Sequence, residues 1–298
     1  MNIAVATGYL RLMRPPNLPT AAADILAGAA ITGLGMDAFY HSSSLYQLLY
    51  LVLASVCLYA GGVVMNDVFD YELDKLERPE RALPRGLISV KNAAFFGVFW
   101  LGFGIFSAFL ASTTSGFVAT ILCGAILLYD AYSKKHDFFG PLNMGICRGL
   151  NLILGMSTLL LSDFIWLGFI PVIYIFAITL ISRGEVHGDN KKNILFSGIL
   201  YLLVGMILYY LGWSQGYEIM LKAIPFQLIF LVAIYVPLAN AYSNNEPKFI
   251  KKAVVAGVLS VVLLNAAIAV TFAPWWYGLV IIALLPLSLG LAKLFAVT

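Results

Sequence analysis

Three aspartates after an apolar stretch have a spacing that suits cation binding. Residues 66–74 read Asn-Asp-Val-Phe-Asp-Tyr-Glu-Leu-Asp, so that Asp67, Asp70 and Asp74 stand at positions i, i+3 and i+7. A continuing helix would stack the three carboxylates on one face, where like charges repel unless a cation neutralises them. Oxygen-only ligands in a loose cluster suit Mg²⁺. The alternative is a solvated acidic helix end, but in so charge-poor a chain we predict a magnesium site formed by Asn66 and these aspartates.

A loop rich in proline and arginine follows the acidic run. Residues 78–86 read Arg-Pro-Glu-Arg-Ala-Leu-Pro-Arg-Gly, and the prolines and glycine give the loop a defined shape. Arginine guanidinium groups match phosphate oxygens in bidentate geometry. Alone, these arginines could merely follow the distribution of positive charge in membrane proteins. Beside an acidic cluster, the arginines of this loop are predicted to bind phosphate.

A second acidic pair, Glu185 and Asp189, stands four residues apart after a later apolar stretch. On a helix the two carboxylates would share one face, although Gly184 and Gly188 loosen such a helix. His187 could ligate a metal or move a proton, or it could be an ordinary loop residue. We expect the two acidic clusters to face each other across the mouth of a helical bundle and to hold Mg²⁺ on a diphosphate.

Further basic residues extend the predicted site. Lys134 and Lys135 could reach phosphate, or they could extend to the membrane interface without a ligand. Arg148 lies inside an apolar stretch, where an arginine is costly and needs a partner. The candidate partners are Asp24, Asp130, Asn151 and a bound anion.

The composition shows what kind of molecule must position these residues. Of the 298 residues, 61% are hydrophobic and 11% are charged, whereas soluble domains have about 45–50% and ~25%. This balance excludes a soluble enzyme and a disordered chain, and a net charge of only +3 excludes a nucleic-acid binder that relies on a basic field. The chain is predicted to be an all-α integral membrane protein, one polytopic domain over 1–298 with motif loops at about 66–90 and 182–193.

Apolar segments of about the ~20 residues that span a bilayer recur along the chain, without the alternation typical of a β-barrel. Nine spans are predicted, and a tenth depends on a division between the fifth and sixth segments at Ser162 and Asp163. The pair Gly145 and Gly149 predicts a close approach of another helix to the fifth. The ten segments are 18–36, 45–66, 90–111, 116–132, 142–162, 164–182, 194–213, 223–241, 252–272 and 275–295.

The basic residues predict an orientation. All eighteen lysines and arginines except Arg148 and Lys222 fall on alternate connections, on one side of the membrane. By the positive-inside rule, the N-terminus and both motif loops face the cytoplasm. We therefore expect a multi-pass protein of the cell inner (plasma) membrane, with both acidic clusters on the same side of the bilayer.

The motif residues resemble those of a known family. Residues 66–74 match the N-D-x-x-D-x-x-x-D signature of the UbiA superfamily of membrane prenyltransferases, and residues 78–86 resemble its R-P-x-P-x-G continuation in a lengthened form. Residues 14–17 (Arg-Pro-Pro-Asn) and 129–134 are similar to further family features. The resemblance extends from about Arg11 to at least Asp189.

The resemblance implies a UbiA-like bundle, usually of nine transmembrane helices around a central cavity. Such a bundle would transfer a prenyl group from a polyprenyl diphosphate to a small-molecule acceptor, commonly aromatic, with Mg²⁺. The residues predicted to be catalytic are Asp67, Asp70, Asp74, Glu185 and Asp189, which with Asn66 would also hold the metal. The residues predicted to bind substrate are Asn17, Asn66, Arg78, Arg81, Tyr129, Lys134, Lys135, Arg148, Asn151 and His187.

Two departures from the family pattern leave alternatives open. The second motif usually reads D-x-x-x-D, whereas this chain has Glu185 at its first position, and a tenth span exceeds the usual count. The runs R-G-E-V-H-G and C-R-G-L-N look most like the UbiA-like EboC branch. The alternatives are a prenyl-lipid binding or carrier protein without transferase activity, and a secondary transporter. A CDP-alcohol phosphotransferase does not fit, because Tyr71 stands where its D-x-x-D-G motif requires glycine.

Overall fold

The structure is a computed structural model that describes residues 3–159 and 162–295, in which every regular element is helical. Within these residues, eight helical stretches are long and apolar enough to cross a membrane, so the chain is a multi-pass membrane protein, as its composition predicts. The helices are α1 (Ile3–Leu12), α2 (Leu18–Thr32), α3 (Leu34–Asp37), α4 (Ser42–Phe69), α5 (Tyr71–Glu77), α6 (Val90–Ala111), α7 (Thr113–Ala131), α8 (Phe139–Met156), α9 (Phe169–Ser182), α10 (Lys191–Ser214), α11 (Tyr217–Asn244), α12 (Pro247–Ala269), α13 (Trp275–Ile282) and α14 (Leu284–Phe295).

Each of the ten predicted apolar segments coincides with at least one of these helices. The first breaks at Gly33, whose φ of 81° ends α2 in the left-handed region. The sixth begins as a 3₁₀ helix over Ser162–Gly168 before α9, and the tenth is divided into α13 and α14. Residues 160 and 161, at the predicted boundary between the fifth and sixth segments, lie outside the described residues. The N-terminal helix α1 was not predicted.

Helices α2 and α8 lie at the centre of the bundle, since both contribute to two hydrophobic cores. Ala23 of α2 and Leu152 of α8 belong to a large core with α9 to α13. Ile25 and Leu154, on the same two helices, belong to a smaller core with α4, α6 and α7. Any polar side chain on the inner faces of α2 and α8 is therefore held from both sides.

Glycines allow the close approach that the sequence predicts for the fifth segment. A Cβ atom at Gly145 would lie 2.6 Å from the carbonyl oxygen of Val172, and one at Gly149 would lie 2.6 Å from that of Gly168. The predicted approach of another helix is confirmed, and that helix is α9 with the 3₁₀ turn before it.

The same kind of contact joins α2 to α8. A Cβ atom at Gly28 would lie 2.4 Å from the carbonyl oxygen of Leu152, and one at Gly155 would lie 2.6 Å from that of Ile25. Because both neighbours are backbone atoms, neither can move aside without displacing a helix. The two central helices thus have a fixed separation.

We expect Gly28→Ala to lower the free energy of unfolding by about 1–3 kcal/mol, because the added methyl group overpacks the contact between α2 and α8. The measurement is unfolding in mixed micelles. Gly124→Ala is the matched control, since a Cβ atom at this helical glycine meets nothing within 4 Å. Equal stability of the two variants would contradict the assigned contact.

Candidate active site

A cavity of about 250 Å³ lies between α2, α4, α7 and α8, at the end of the bundle that carries the first motif. Arg14, Asn66 and Asp130 line it where α4 and α7 end. Apolar side chains, among them Leu58 and Leu122, line the part that extends into the bundle. The cavity thus combines a charged end with an apolar interior.

Two aspartates of the first motif are bound by arginines from separate parts of the chain. Asp67 Oδ1 accepts hydrogen bonds from Arg14 Nη2 at 2.7 Å and from Arg81 Nη1 at 3.3 Å. Asp74 Oδ2 accepts one from the same Arg81 nitrogen at 2.6 Å. Burial lowers the pKa of Arg14, but the charge and hydrogen bond of Asp67, together with Tyr59 and Asp130, outweigh it and leave the pKa above its ordinary value. The connection before α2 and the loop after α5 are therefore both tied to the end of α4.

The third aspartate faces a different partner, which corrects the prediction of one continuous acidic face. Helix α4 ends at Phe69, Asp70 takes a non-helical conformation, and α5 begins at Tyr71. Asp70 Oδ1 lies 2.6 Å from Lys134 Nζ, an ion pair whose angles do not meet hydrogen-bond geometry. Asp67 and Asp74 therefore pair with arginines and Asp70 pairs with a lysine, because the helix breaks in the middle of the motif.

Asn66 is held by a fourth carboxylate at the charged end of the cavity. Its Nδ2 donates a hydrogen bond to Asp130 Oδ1 at 2.8 Å. Asp130 is 3% exposed, and its other oxygen, Oδ2, is buried without a hydrogen-bond partner in the part of the chain that the structure describes. Tyr129, the neighbour of Asp130, also lines the cavity, as its predicted role in binding substrate requires.

The second motif is a turn and loop, not a helical face. Helix α9 ends at Ser182, and both Gly188 (φ 70°) and Asp189 (φ 49°) adopt left-handed conformations. Burial raises the pKa of Glu185, while the charges of Lys251 and Arg78 act in the opposite direction. The influence of Arg78 on Glu185 indicates that the two motif loops approach each other.

Asp189 contacts the connection between α11 and α12. Its Oδ1 accepts a hydrogen bond at 3.1 Å from Asn245, in the connection between α11 and α12. The predicted pairing of Glu185 and Asp189 on one helix face is wrong, because two consecutive left-handed residues terminate the turn between them.

Of the predicted residues, Asn66, Tyr129, Arg148 and Asn151 line the cavity, whereas the motif carboxylates, Arg78, Arg81, Lys134 and three further residues lie outside the lining. Lys135 and His187 are exposed, and Asn17 is half-buried in a 3₁₀ turn, where its carbonyl oxygen accepts a hydrogen bond from Thr20. The structure does not bring these side chains together with the first motif.

Arg148 has an acidic partner inside the bundle. Its Nη1 donates to Asp24 Oδ2 at 2.7 Å and to the Thr20 carbonyl oxygen, and its Nη2 donates to Thr20 Oγ1. Asp24 is fully buried and also accepts hydrogen bonds from Asn151 and Asn265. Of the partners that the sequence left open, Asp24 is therefore the one found. The network joins α2, α8 and α12, and Arg148 and Asn151 line the cavity.

The oxygen atoms at the charged end of the cavity are of the chemical type that binds a hard divalent cation. Within the described ranges, no group of three or more His, Cys, Asp or Glu side chains is arranged to hold a metal ion. Each carboxylate of the first motif is instead paired with an arginine or a lysine. Carboxylate and amide oxygens are nevertheless the ligands of Mg²⁺, and the unpartnered Asp130 Oδ2 adds one more.

Comparison with known proteins identifies the family. The profile of the UbiA prenyltransferase family matches residues 25–252, which include both motifs and the helices around the cavity. The chain belongs to the UbiA prenyltransferase family. It is therefore a prenyltransferase with the UbiA fold, as the motif resemblance predicted.

Relatives and solved structures agree with this assignment. The chain is 27% identical over 270 residues to digeranylgeranylglyceryl phosphate synthase of Methanosphaera stadtmanae, covering 82% of this chain and 92% of the relative. The enzyme of the same name from Methanococcoides burtonii is 37% identical over 150 residues, about half of either chain (49% and 53%). The structure of a UbiA homologue from Archaeoglobus fulgidus bound to GPP and Mg²⁺ superposes with a TM-score of 0.64 at 15% identity, covering 88% of this UbiA chain and 99% of the other.

Two side chains in this UbiA site were missed by sequence reasoning. In the run of residues 14–17, which resembles the family, Asn17 is predicted to bind substrate and Arg14 is not. In the structure, Arg14 contacts Asp67. The sequence predicts Asp130 only as one candidate partner of Arg148, whereas in the structure Asp130 accepts a hydrogen bond from Asn66. The sequence feature that indicates Asp130 is its position: it is a carboxylate at the end of an apolar segment, directly after Tyr129.

We expect Asp24→Ala to lower the free energy of unfolding by about 3–5 kcal/mol, because it leaves Arg148 buried without its counter-ion. Asp37→Ala is the control, since this aspartate is exposed. The double variant Asp24→Ala, Arg148→Met should be more stable than Asp24→Ala alone, because it removes the unpaired charge as well. Unfolding in mixed micelles measures all three, and a double variant less stable than Asp24→Ala would contradict the pairing.

Proposed function

We propose that this UbiA protein transfers a prenyl group from a polyprenyl diphosphate to an acidic small-molecule acceptor in a reaction that requires Mg²⁺. The observation that carries the proposal is the cavity, whose interior is apolar and whose charged end, lined by Arg14, Asn66 and Asp130, adjoins the ion pairs of the first motif. A prenyl diphosphate has the same division, with a charged head and a hydrocarbon tail. The substrate would therefore bind with its diphosphate beside the first motif and its chain inside the bundle.

The residues proposed to hold the metal are Asn66, Asp67, Asp70, Asp74, Glu185 and Asp189. Bound Mg²⁺ supplies positive charge that stabilises the departing diphosphate. Arg14, Arg81 and Lys134, which pair with the carboxylates in this structure, would turn toward phosphate oxygens when their carboxylates hold a metal. Arg78, whose charge acts on Glu185, would do the same.

The apolar lining is proposed to protect the reactive prenyl group after its bond to the diphosphate breaks. Leu58, Leu122 and Ile126 offer no hydrogen-bonding group to water in the interior. The rings of Tyr59 and Tyr129 line the same cavity, and aromatic faces stabilise positive charge. These side chains would keep the group intact until the acceptor attacks it.

Two observations favour an acidic acceptor over a neutral aromatic one. The relatives are named for a product that contains a phosphate. In this chain, Arg148 uses three of its five N–H donors on Asp24 and Thr20, which leaves two beside the cavity. Arg148 and Asn151 are therefore proposed to bind the acidic group of the acceptor. His187 and Lys135 are exposed, so any contact with substrate would come from the solvent side.

The distribution of lysines and arginines determines the proposed orientation and cellular location of the protein. With nearly all lysines and arginines on one side of the bundle, the motif loops would face the cytoplasm and the protein would reside in the cell inner membrane. The diphosphate would then enter from the cytoplasmic side and the prenyl chain from the lipid.

We expect Asp67→Ala and Asp70→Ala each to reduce prenyl transfer by about 10²–10³-fold, because each removes a proposed ligand of the Mg²⁺ that would stabilise the departing diphosphate. The assay follows diphosphate release and prenylated product in proteoliposomes with geranylgeranyl diphosphate and a glyceryl phosphate lipid. Asp137→Asn is the matched control, since this carboxyl group is 99% exposed.

Undiminished transfer by metal-free, EDTA-treated protein would contradict the requirement for Mg²⁺. Binding of the prenyl diphosphate with neither diphosphate release nor product would instead favour the carrier protein. Flux of intact substrate without a covalent product would favour a transporter.

A further inference from the structure

Asp130 differs from the carboxylates of the first motif because no lysine or arginine among the described residues forms an ion pair with it. Asp67 and Asp74 contact arginines and Asp70 contacts Lys134. No ion pair within 4.0 Å involves Asp130 among the described residues. Among the described residues, this buried carboxylate therefore has no direct ion pair, and the charges of Lys134 and Arg14 act on it only from a greater distance.

The two oxygens of Asp130 have different surroundings. Oδ1 accepts the hydrogen bond from Asn66 Nδ2 at 2.8 Å, whereas Oδ2 is buried with no donor within reach in the described chain. A buried carboxylate oxygen without a partner is costly. Such an atom in the wall of a cavity indicates a ligand that brings a cation or a hydrogen-bond donor.

The bond to Asn66 also determines how that side chain is presented. Because the Asn66 NH₂ group is used by Asp130, its carbonyl oxygen is the atom left for another ligand. Lys134, Asp70 and Arg14 are within electrostatic range of Asp130. Asp130 Oδ2, the Asn66 carbonyl oxygen and the Asp70 carboxylate are thus hard oxygen donors of the kind that Mg²⁺ prefers.

We propose that Asp130 is an additional ligand-binding carboxylate of this site: its Oδ2 binds the divalent cation, and its Oδ1 orients Asn66 toward the same ion. The inference rests on the proposed function, since it requires that a divalent cation binds beside the first motif. It adds a residue from α7 to a site otherwise formed by the end of α4 and the loops. Through Oδ1, Asp130 acts as a positioning residue: it does not touch the ion with this atom but fixes the orientation of Asn66, which does.

The test is Mn²⁺ binding, measured by electron paramagnetic resonance on the full-length protein in detergent, with and without inorganic pyrophosphate. Asp130→Asn keeps an acceptor oxygen for Asn66 but replaces the other carboxylate oxygen with an amide nitrogen. We expect it to weaken Mn²⁺ binding at least about tenfold while the thermal midpoint of unfolding stays near that of the wild type. Asp137→Asn, the same change at an exposed carboxylate, should bind Mn²⁺ as the wild type does.

Asp130→Ser is a second variant that removes the carboxylate, and it decides the question if Asp130→Asn does not fold. Asp130→Glu should retain most of the Mn²⁺ affinity because it restores the charge. Wild-type affinity in Asp130→Asn or Asp130→Ser would overturn the role of Asp130 and leave the proposed function intact. Failure of the wild type to bind Mn²⁺ even with pyrophosphate would instead overturn the proposed function itself.

Discussion

The burial of carboxylates at one end of an apolar bundle is the constraint on which the site depends. Asp67, Asp74 and Asp130 are each less than one-tenth exposed, and a charge in such a place is costly unless a partner compensates it. Arg14 before α2 and Arg81 after α5 compensate Asp67 and Asp74, Lys134 after α7 pairs with Asp70, and Asp130 accepts a hydrogen bond from Asn66. Charge compensation therefore gathers the loops around the end of α4.

The scaffold must hold these charges while keeping the interior dry. Helices α2 and α8 meet through Gly28 and Gly155 with almost no space between their backbones. The Asp24–Arg148 ion pair joins the same two helices and also binds α12 through Asn265. Because this pair is satisfied within the protein, it stabilises a polar wall beside an apolar cavity without requiring water.

The division of the cavity into a charged end and an apolar interior connects the fold to its chemistry. A substrate with a diphosphate head and a hydrocarbon tail can bind in only one direction, since neither half is compatible with the other end. The basic groups that now neutralise the aspartates are the groups that a diphosphate would attract. In the proposed reaction, one set of side chains would thus stabilise the fold and bind substrate.

Composition, apolar segments and motif spacing by themselves determined that this is a multi-pass membrane protein, that it has UbiA-type motifs, and which aspartates belong to the first motif. These features are local, because a helix needs only a run of apolar residues and a motif only a spacing. They also correctly predicted the close approach at Gly145 and Gly149.

Only the tertiary structure decided which charges meet. It placed Arg14 on Asp67, gave Arg148 the partner Asp24, broke the first motif at Asp70, and made the second motif a loop in which Asp189 contacts Asn245. Partners separated by 53 and 124 residues come together through helix packing. The periodicity of a single segment carries no information about such contacts, because the free energy of a buried ion pair depends on the arrangement of several helices at once.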